Sequence, residues 1–238
     1  MLGANPLRPQ EKGDGQSLWI QEVFYTLQGE GPFSGHPALF VRLAGCNLAC
    51  YFCDTDFESS DWRPTLKQLL ADIDRKRGEH CKLVVITGGE PFRQNILPLV
   101  EALHERDLTV QIETNGTLYL DLPWGEMLHV VCSPKTSGLH GQLVEHIDAY
   151  KYVLRAGEVD DEDGLPGCST KYQGRPETIA RPDHSAGPHR KKAASVYVMP
   201  QDDQDEQKNL ANTQACIDSA LKFGYKLTLQ THKLIGVR

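Results

Sequence analysis

Apolar residues recur along the chain at spacings that predict strands alternating with helices. Residues 66–73 and 96–103 carry apolar side chains at the i, i+3, i+4, i+7 spacing of helices that bury one face. Residues 83–87 form a nearly continuous apolar run, as a strand buried on both faces does. Strands are predicted over residues 19–27, 38–43, 83–87, 108–112, 129–132, 150–154, 196–199 and 226–230, with a further helix over 206–223. Because parallel strands need long crossover connections, this alternation predicts an α/β fold with a mostly parallel sheet.

Two segments lack this periodicity. Residues 1–17 are rich in glycine, proline and charge, so we predict a flexible N-terminal tail there. Residues 156–194 contain five glycines and four prolines without any period, and loops of this length are uncommon inside compact domains. We therefore predict one domain over residues 18–238 that carries an irregular surface insertion at 156–194.

Composition fits a single globular domain, with 238 residues of which 39% are hydrophobic. The formal net charge is −7, which argues against a broad nucleic-acid partner because such binding needs a basic surface. The sequence has no apolar run of roughly 18 residues, so no membrane association is expected. The N-terminus shows no apolar signal segment, and we expect a cytoplasmic location.

Three of the seven cysteines lie together, at Cys46, Cys50 and Cys53, with C-x-x-x-C-x-x-C spacing. In a reducing compartment such a cluster indicates metal or redox chemistry before it indicates disulfides. Three thiolates can reach three corners of a cubic iron–sulfur cluster and leave one iron open. The alternatives are a zinc site whose fourth ligand is His36, His80 or Cys81, or three unpaired core cysteines.

A second motif favours the iron–sulfur cluster. Gly88-Gly89-Glu90-Pro91 directly follows the predicted buried strand at 83–87. Strand carboxyl ends are where parallel α/β folds bind ligands, and glycines let a ligand approach the backbone closely. Together with Phe52 before the last cysteine, these motifs resemble the radical S-adenosylmethionine (SAM) superfamily.

The superfamily resemblance implies a fold and a chemistry. The fold is a partial (β/α) barrel, with the 4Fe-4S cluster and SAM at the carboxyl edge of its mostly parallel strands. The open iron would chelate SAM, and one electron from the cluster would break a C–S bond. The resulting 5′-deoxyadenosyl radical would abstract hydrogen from the substrate, so that no protein side chain is needed as the hydrogen abstractor.

Further segments narrow the resemblance to one family. They are Thr26-Leu27-Gln28-Gly29-Glu30-Gly31, Cys53-Asp54-Thr55, Glu113-Thr114-Asn115-Gly116, Ser133-Pro134-Lys135 and Gln230-Thr231-His232-Lys233. In this order, over residues 18–238, they are similar to the 7-carboxy-7-deazaguanine synthase family. The resemblance implies conversion of 6-carboxy-5,6,7,8-tetrahydropterin to 7-carboxy-7-deazaguanine with loss of ammonia, in 7-deazapurine (queuosine-type) biosynthesis. It also implies magnesium, an external electron donor such as flavodoxin or ferredoxin, and a homodimer.

The family resemblance implies roles for individual residues. Thr55 would be the magnesium ligand, because magnesium prefers hard oxygen donors. The residues implied for SAM are Phe52, Cys53, Asp54, Gly89, Ser133, Pro134, Lys135 and Gln201. The residues implied for the substrate are Leu27, Gln28, Gly29, Glu30, Arg42, Thr87, His232 and the terminal carboxylate of Arg238.

Residue chemistry agrees with some of these roles and leaves alternatives open. The carboxylate of Glu30 could accept hydrogen bonds from pterin N–H groups, or it could be a solvated turn residue. Arg42 would hold the substrate carboxylate or the cofactor, since a buried guanidinium needs a partner. His232 could instead be a satisfied core histidine.

Two other functions compete with this interpretation. One is a radical SAM activase that generates a glycyl radical on a partner protein. The other is a non-catalytic iron–sulfur or zinc module, which predicts a fourth protein ligand and no affinity for SAM.

Overall fold

The computed structural model describes residues 6–50, 52–53, 55–172, 175–183 and 194–237. Strands and helices alternate along most of the chain, as the apolar pattern predicts. The strands are β1 (Ile20–Leu27), β2 (Pro37–Leu43), β3 (Leu83–Gly88), β4 (Thr109–Thr114), β5 (Leu128–Cys132), β6 (Ala149–Leu154), β7 (Cys168–Tyr172), β8 (Arg175–Thr178), β9 (Ser195–Pro200) and β10 (Lys226–Leu227). The helices are α1 (Leu66–Lys76), α2 (Leu97–His104), α3 (Gly141–Val144), α4 (Glu206–Phe223) and α5 (Thr231–Ile235).

An eight-stranded open sheet forms the framework, in the order β1-β2-β3-β4-β5-β6-β9-β10. Only the β1–β2 pair of this sheet is antiparallel, and every other neighbouring pair is parallel. The prediction of an α/β fold with a partial, unclosed barrel is confirmed. The parallel order brings the carboxyl ends of β2 to β6 to one edge.

The two faces of the sheet have different surroundings. On one face, alternate residues such as Leu39 and Val41 join α1 and α2 in the main apolar core. On the other face, Phe24, Phe40 and Val85 form a smaller cluster, in which the two phenylalanine rings stack 5.1 Å apart. Because side chains of a strand alternate between faces, the residues that continue this second row are Arg42 and Thr87.

The local sequence explains where the helices begin and end. Thr65 caps α1, where its hydroxyl accepts from the backbone N–H of Gln68 while the Gln68 side chain accepts from the N–H of Thr65. Asp205 caps α4 with its carboxylate, which accepts from the backbone N–H of Lys208, and Gly224 ends that helix with a φ of 75°. None of the helices in the described ranges is long and apolar enough to cross a membrane.

Residues 7–16 of the predicted flexible N-terminal tail form backbone contacts with the rest of the domain. Leu7 forms a parallel bridge with Cys46, and the Glu11 N–H donates to the carbonyl of Arg93 at 2.7 Å. The carbonyl of Gln16 accepts from the N–H of Leu66 at 2.8 Å. Backbone hydrogen bonds of this kind do not depend on the periodicity of the sequence, so composition gives no sign of these contacts.

Parts of the predicted insertion and of the C-terminus also differ from expectation. Residues 168–172 and 175–178 form an antiparallel pair, β7 with β8, rather than irregular chain, while residues 173–174 and 184–193 lie outside the described residues. The last strand is confined to Lys226–Leu227, and residues 231–235 form the helix α5, which the periodicity did not predict.

Candidate active site

A cavity of about 680 Å³ opens at the carboxyl edge of the parallel strands. Residues directly after β3, β4 and β5, among them Gly89, Asn115 and Ser133, contribute to its wall. Ligands of open parallel sheets bind at this edge. Of the residues that the sequence predicted, the wall contains Leu27, Gln28, Glu30, Arg42, Cys46, Cys50, Phe52, Cys53, Thr55, Thr87, Gly89, Ser133, Lys135, Gln201 and His232.

Two predicted residues that the structure describes, Gly29 and Pro134, are not part of this wall. Gly29 lies behind His232, since a Cβ on Gly29 would fall 2.2 Å from the imidazole Nδ1, and its carbonyl accepts from the N–H of Thr231. Pro134 is buried and does not line the cavity. Asp54 and Arg238 lie outside the described residues.

The cysteine loop follows β2 and presents its three thiols to the cavity. Cys46 and Cys50 are buried and Cys53 is half-buried. The Leu48 N–H points at the sulfur of Cys46 at 3.4 Å, and the Cys53 N–H donates to the carbonyl of Cys50 at 3.2 Å. Among the described residues, no group of three or more His, Cys, Asp or Glu side chains is arranged to hold a metal ion.

Burial makes two thiols of this loop harder to deprotonate. Burial raises the pKa of Cys46 to about 12 and that of Cys50 to about 11. The thiols of Cys46 and Cys50 are therefore protonated at neutral pH in the absence of metal, and each would have to release its proton to coordinate iron. Three soft sulfur donors on one cavity wall suit an iron–sulfur cluster.

The candidate fourth ligands lie far from this loop. His36 directly precedes β2, and His80 and Cys81 precede β3, so all three are at the amino ends of the strands. The Cys81 thiol is held there by the carbonyls of Pro37 and Leu83. A strand the length of β2 separates the two edges by roughly 20 Å. None of the three can complete a zinc site with Cys46, Cys50 and Cys53.

The Gly-Gly-Glu-Pro turn packs directly on the cysteine loop. Gly88 has a φ of 141°, and a Cβ there would lie 2.1 Å from the Leu43 carbonyl oxygen. A Cβ on Gly89 would lie 2.2 Å from the carbonyl oxygen of Gly45. Only residues without a side chain allow these two loops to approach so closely.

Glu90 fastens this turn to the end of β4. Its carboxylate accepts from the Thr114 hydroxyl at 2.8 Å, the Asn115 N–H at 2.7 Å and the Phe92 N–H at 3.0 Å. The side chain is completely buried, and burial raises its pKa to about 7 despite these donors. Glu90 thus holds the Gly-Gly-Glu-Pro turn against the end of β4, a role that the spacing of residues in the sequence did not indicate.

A row of polar side chains lies on the face of the sheet that looks into the cavity. Thr87 donates to Glu113 at 2.9 Å, and Gln28 and Gln111 each donate to the same carboxylate at 3.1 Å. Arg42 pairs with Glu22 across β1 and β2, with 2.8 Å between Nε and Oε1. A guanidinium and a carboxylate are therefore held in place by neighbouring side chains.

A buried ion pair closes the row on the β6 side. The ammonium of Lys151 contacts the carboxylate of Glu30, which also accepts from the Gln230 amide at 3.1 Å. Burial by itself raises the pKa of Glu30, but the charge of Lys151 and the hydrogen bonds from Lys151 and Gln230 together outweigh it and hold that pKa below its ordinary value. Glu30 is therefore an ionised acceptor within the cavity rather than a solvated turn residue.

Sequence reasoning missed Glu113, Lys151 and Gln230, although all three line the cavity. Glu113 and Gln230 belong to segments that carried the family resemblance, but neither was given a role. Lys151 left a usable signal, because it is the one charge in the apolar run of β6. A lysine in a buried strand needs a partner, and that requirement points to a functional cavity or an ion pair.

Aromatic and polar groups flank the cysteine loop on its other side. The ammonium of Lys135 lies 5.4 Å from the ring centre of Phe52 and donates to the hydroxyl of Ser133. Gln201 is buried beyond the end of β9, where its amide donates to Asp203 at 2.7 Å. These groups provide one apolar surface and several donors next to the three thiols.

Comparison with known proteins gives consistent matches. The profile of the Radical SAM superfamily matches residues 41–129. The chain is 56% identical to the 7-carboxy-7-deazaguanine synthase of Rhodospirillum rubrum, with 100% of both chains covered. It is 38% identical to the enzyme of that name from Rickettsia prowazekii, covering 100% of this chain and 96% of the relative. The crystal structure of QueE from Escherichia coli has a similar fold, with a TM-score of 0.65 at 24% identity over 92% of this chain and 99% of that one.

Proposed function

Because the chain belongs to the 7-carboxy-7-deazaguanine synthase family of radical SAM enzymes, we propose that it converts 6-carboxy-5,6,7,8-tetrahydropterin into 7-carboxy-7-deazaguanine and ammonia. Family membership places the enzyme in 7-deazapurine (queuosine-type) biosynthesis and implies a 4Fe-4S cluster and SAM. The observation that carries the substrate assignment is the single cavity in which three thiols face the polar row containing Glu30, Glu113 and Arg42.

The cluster and SAM would occupy the cysteine side of this cavity. When bound, they supply the one-electron chemistry that removes a hydrogen atom from the substrate. Cys46, Cys50 and Cys53 would ligate the cluster, and the backbone of Gly89, which lines the cavity, would contact the SAM amino group. Residues suited to the remainder of SAM are Phe52, Ser133, Lys135 and Gln201, and the family resemblance adds Asp54 and Pro134.

The substrate would occupy the polar row. A pterin presents several ring N–H donors, and the carboxylates of Glu30 and Glu113 offer acceptors that are already ionised or hydrogen-bonded in place. Charge-assisted hydrogen bonds of this kind are about twice as strong as neutral ones. The guanidinium of Arg42 is suited to the substrate carboxylate. His232 on α5, together with the terminal carboxylate of Arg238, would cover the substrate.

Magnesium would bind between Thr55 and the substrate carboxylate. Magnesium retains water and substrate oxygens in its shell and needs few protein ligands, so one hydroxyl from the cavity wall is sufficient. We also propose an external electron donor such as flavodoxin or ferredoxin, a homodimer and a cytoplasmic location.

Anaerobic reconstitution followed by turnover tests this function. With SAM, a reductant and the carboxytetrahydropterin, the protein should form 7-carboxy-7-deazaguanine, identified by mass spectrometry. Cys46→Ala should lose the cluster absorbance and all product. Cys81→Ala, at the opposite edge of the sheet, should retain both. SAM cleavage without any deazaguanine product would contradict the proposed substrate and leave open the activase alternative.

A further inference from the structure

The segment that sequence analysis left as a tail runs beside the cysteine loop. The Arg8 N–H donates to the carbonyl of Cys46 at 2.7 Å, and Leu7 forms the adjoining bridge. We propose that residues 7–11, here called the N-terminal strap, are part of the iron–sulfur site, and that Arg93 and Glu11 are positioning residues for Cys46. This inference rests on the cluster site proposed above.

Arg93 connects the strap to the cysteine loop. Its side chain is 2% exposed, and its guanidinium donates to the Ala44 carbonyl at 3.1 Å, the Pro9 carbonyl at 3.3 Å and the Glu11 carboxylate at 2.7 Å. A buried guanidinium is stable only when such partners surround it. One partner belongs to the cysteine loop and two belong to the strap, so Arg93 holds them at a fixed separation.

Gly45 shows how close this contact is. Its φ is 81°, in the left-handed region that favours glycine. A Cβ at this position would lie 2.7 Å from the Nε of Arg93. The residue directly before the first cluster ligand is thus packed against the guanidinium without any intervening side chain.

Backbone hydrogen bonds hold the start of the cysteine loop from several directions. Trp19 accepts from the Ala44 N–H, and Phe57 accepts from the Gly45 N–H, both at 2.9 Å. The Glu90 N–H donates to the Gly45 carbonyl at 3.0 Å. The strap adds the hydrogen bond from the Arg8 N–H to the Cys46 carbonyl. It therefore holds a proposed cluster ligand directly, and not only the residues around it.

Charge gives the strap a second effect on the cluster. Glu11 neutralises Arg93, which contacts the residues that precede Cys46. Reduction adds one electron to the cluster, and a nearby positive charge favours the reduced form. Removing the Glu11 carboxylate should therefore raise the reduction potential, a change that a merely structural contact would not produce.

The test compares reconstituted full-length variants in matched pairs. Arg8→Pro deletes the N–H donor and keeps an extended backbone, whereas Arg8→Ala keeps the donor and loses only side-chain contacts, the exposed pair with Glu58 and the approach to the Trp19 ring. Glu11→Gln removes the charge on Arg93. Its control, Asp107→Asn, removes one partner of the exposed ion pair with Lys82 at the opposite edge of the sheet.

The first readout is the rate at which iron is released to a chelator, monitored as the loss of cluster absorbance. Arg8→Pro and Glu11→Gln should lose iron about fivefold faster or more, while both controls match the wild type. The second readout is the midpoint potential, which should rise in Glu11→Gln. Because Glu11→Gln leaves the buried Arg93 without its charged partner, the thermal midpoint of that cluster-free protein should fall, so iron release is compared at a temperature at which every cluster-free variant is folded.

Two results would overturn the inference. One is equal iron release within both pairs, and the other is a midpoint potential of Glu11→Gln that equals the midpoint potential of Asp107→Asn. Failure of the wild type to bind a cluster would be a different outcome, because it would refute the proposed site itself.

Discussion

Thr55 offers the most selective single-residue test of the magnesium proposal. Its hydroxyl lies on the cavity wall beside the cysteine loop. Thr55→Ala should keep the cluster and SAM binding but lose most of the magnesium-dependent rate, because a substrate misplaced by about 1 Å can react on the order of a hundredfold more slowly. Thr55→Ser, which keeps the oxygen, should recover much of that rate. If Thr55→Ala responds to magnesium as the wild type does, this hydroxyl is not the ligand.

Lys151 allows a test of the buried ion pair at the substrate side. Lys151→Met leaves the Glu30 carboxylate buried without its ammonium, which should lower the free energy of unfolding by about 3 kcal/mol. The double variant Lys151→Met/Glu30→Gln should regain most of that stability and still bind the pterin poorly. Denaturant unfolding and substrate titration measure the two effects. Unchanged stability in Lys151→Met would show that the pair is not buried as described.

Glu90 makes stability depend on pH. Because burial raises its pKa from 4.5 to about 7, the folded protein keeps a proton between these values that the unfolded chain has lost. The stabilisation from this proton is complete below pH 4.5 and disappears as pH rises through 7. The difference in unfolding free energy between wild type and Glu90→Gln should therefore shrink from pH 4.5 to 7. A difference that is constant or grows over this range would contradict the assignment.

Site residues that share a spacing or a motif could be identified from the sequence. Site residues that come together only in the folded protein could not. Cys46, Cys50 and Cys53 are close in sequence, and their spacing is enough to find them. Glu30 and Lys151 are 121 residues apart, and nothing in either local sequence connects them. Their pairing depends on the placement of the loop after β1 over β6.

Among the elements, the contact between the Gly-Gly-Glu-Pro turn and the cysteine loop is the most sensitive to side-chain volume. Gly89→Ala should force the two loops apart, lowering the free energy of unfolding by about 1–3 kcal/mol and weakening SAM binding. Gly125→Ala is the matched control, since a Cβ there meets nothing within 4 Å, and it should change stability by less than about 0.5 kcal/mol. A Gly89→Ala protein with wild-type stability and SAM affinity would refute this contact.

Elements with strong periodicity were predictable, and elements defined by tertiary contacts were not. Helix α1 and strand β3 bury regular apolar positions, which the sequence displays directly. Helix α5 has no buried residue, so no apolar period marks it. The N-terminal strap is held by hydrogen bonds to Cys46 and Arg93, and backbone bonding of this kind leaves no trace in the hydropathy pattern.

For the molecule as a whole, the open parallel sheet places both halves of the proposed chemistry in one cavity. The cysteine loop follows β2, and the polar row extends across the face of the sheet to Lys151 on β6. An edge shared by successive strands is what allows residues distant in sequence to act on one substrate. The account therefore requires that the hydrogen atom pass between a substrate and a cofactor bound side by side.

Hydrogen transfer from labelled substrate measures this requirement most directly. The reconstituted protein would be given SAM, a reductant and carboxytetrahydropterin that carries deuterium on its saturated ring carbons. Deuterium should appear in the adenosyl group recovered from SAM, together with 7-carboxy-7-deazaguanine. SAM cleavage that yields only unlabelled adenosyl product, with the pterin recovered unchanged, would contradict it.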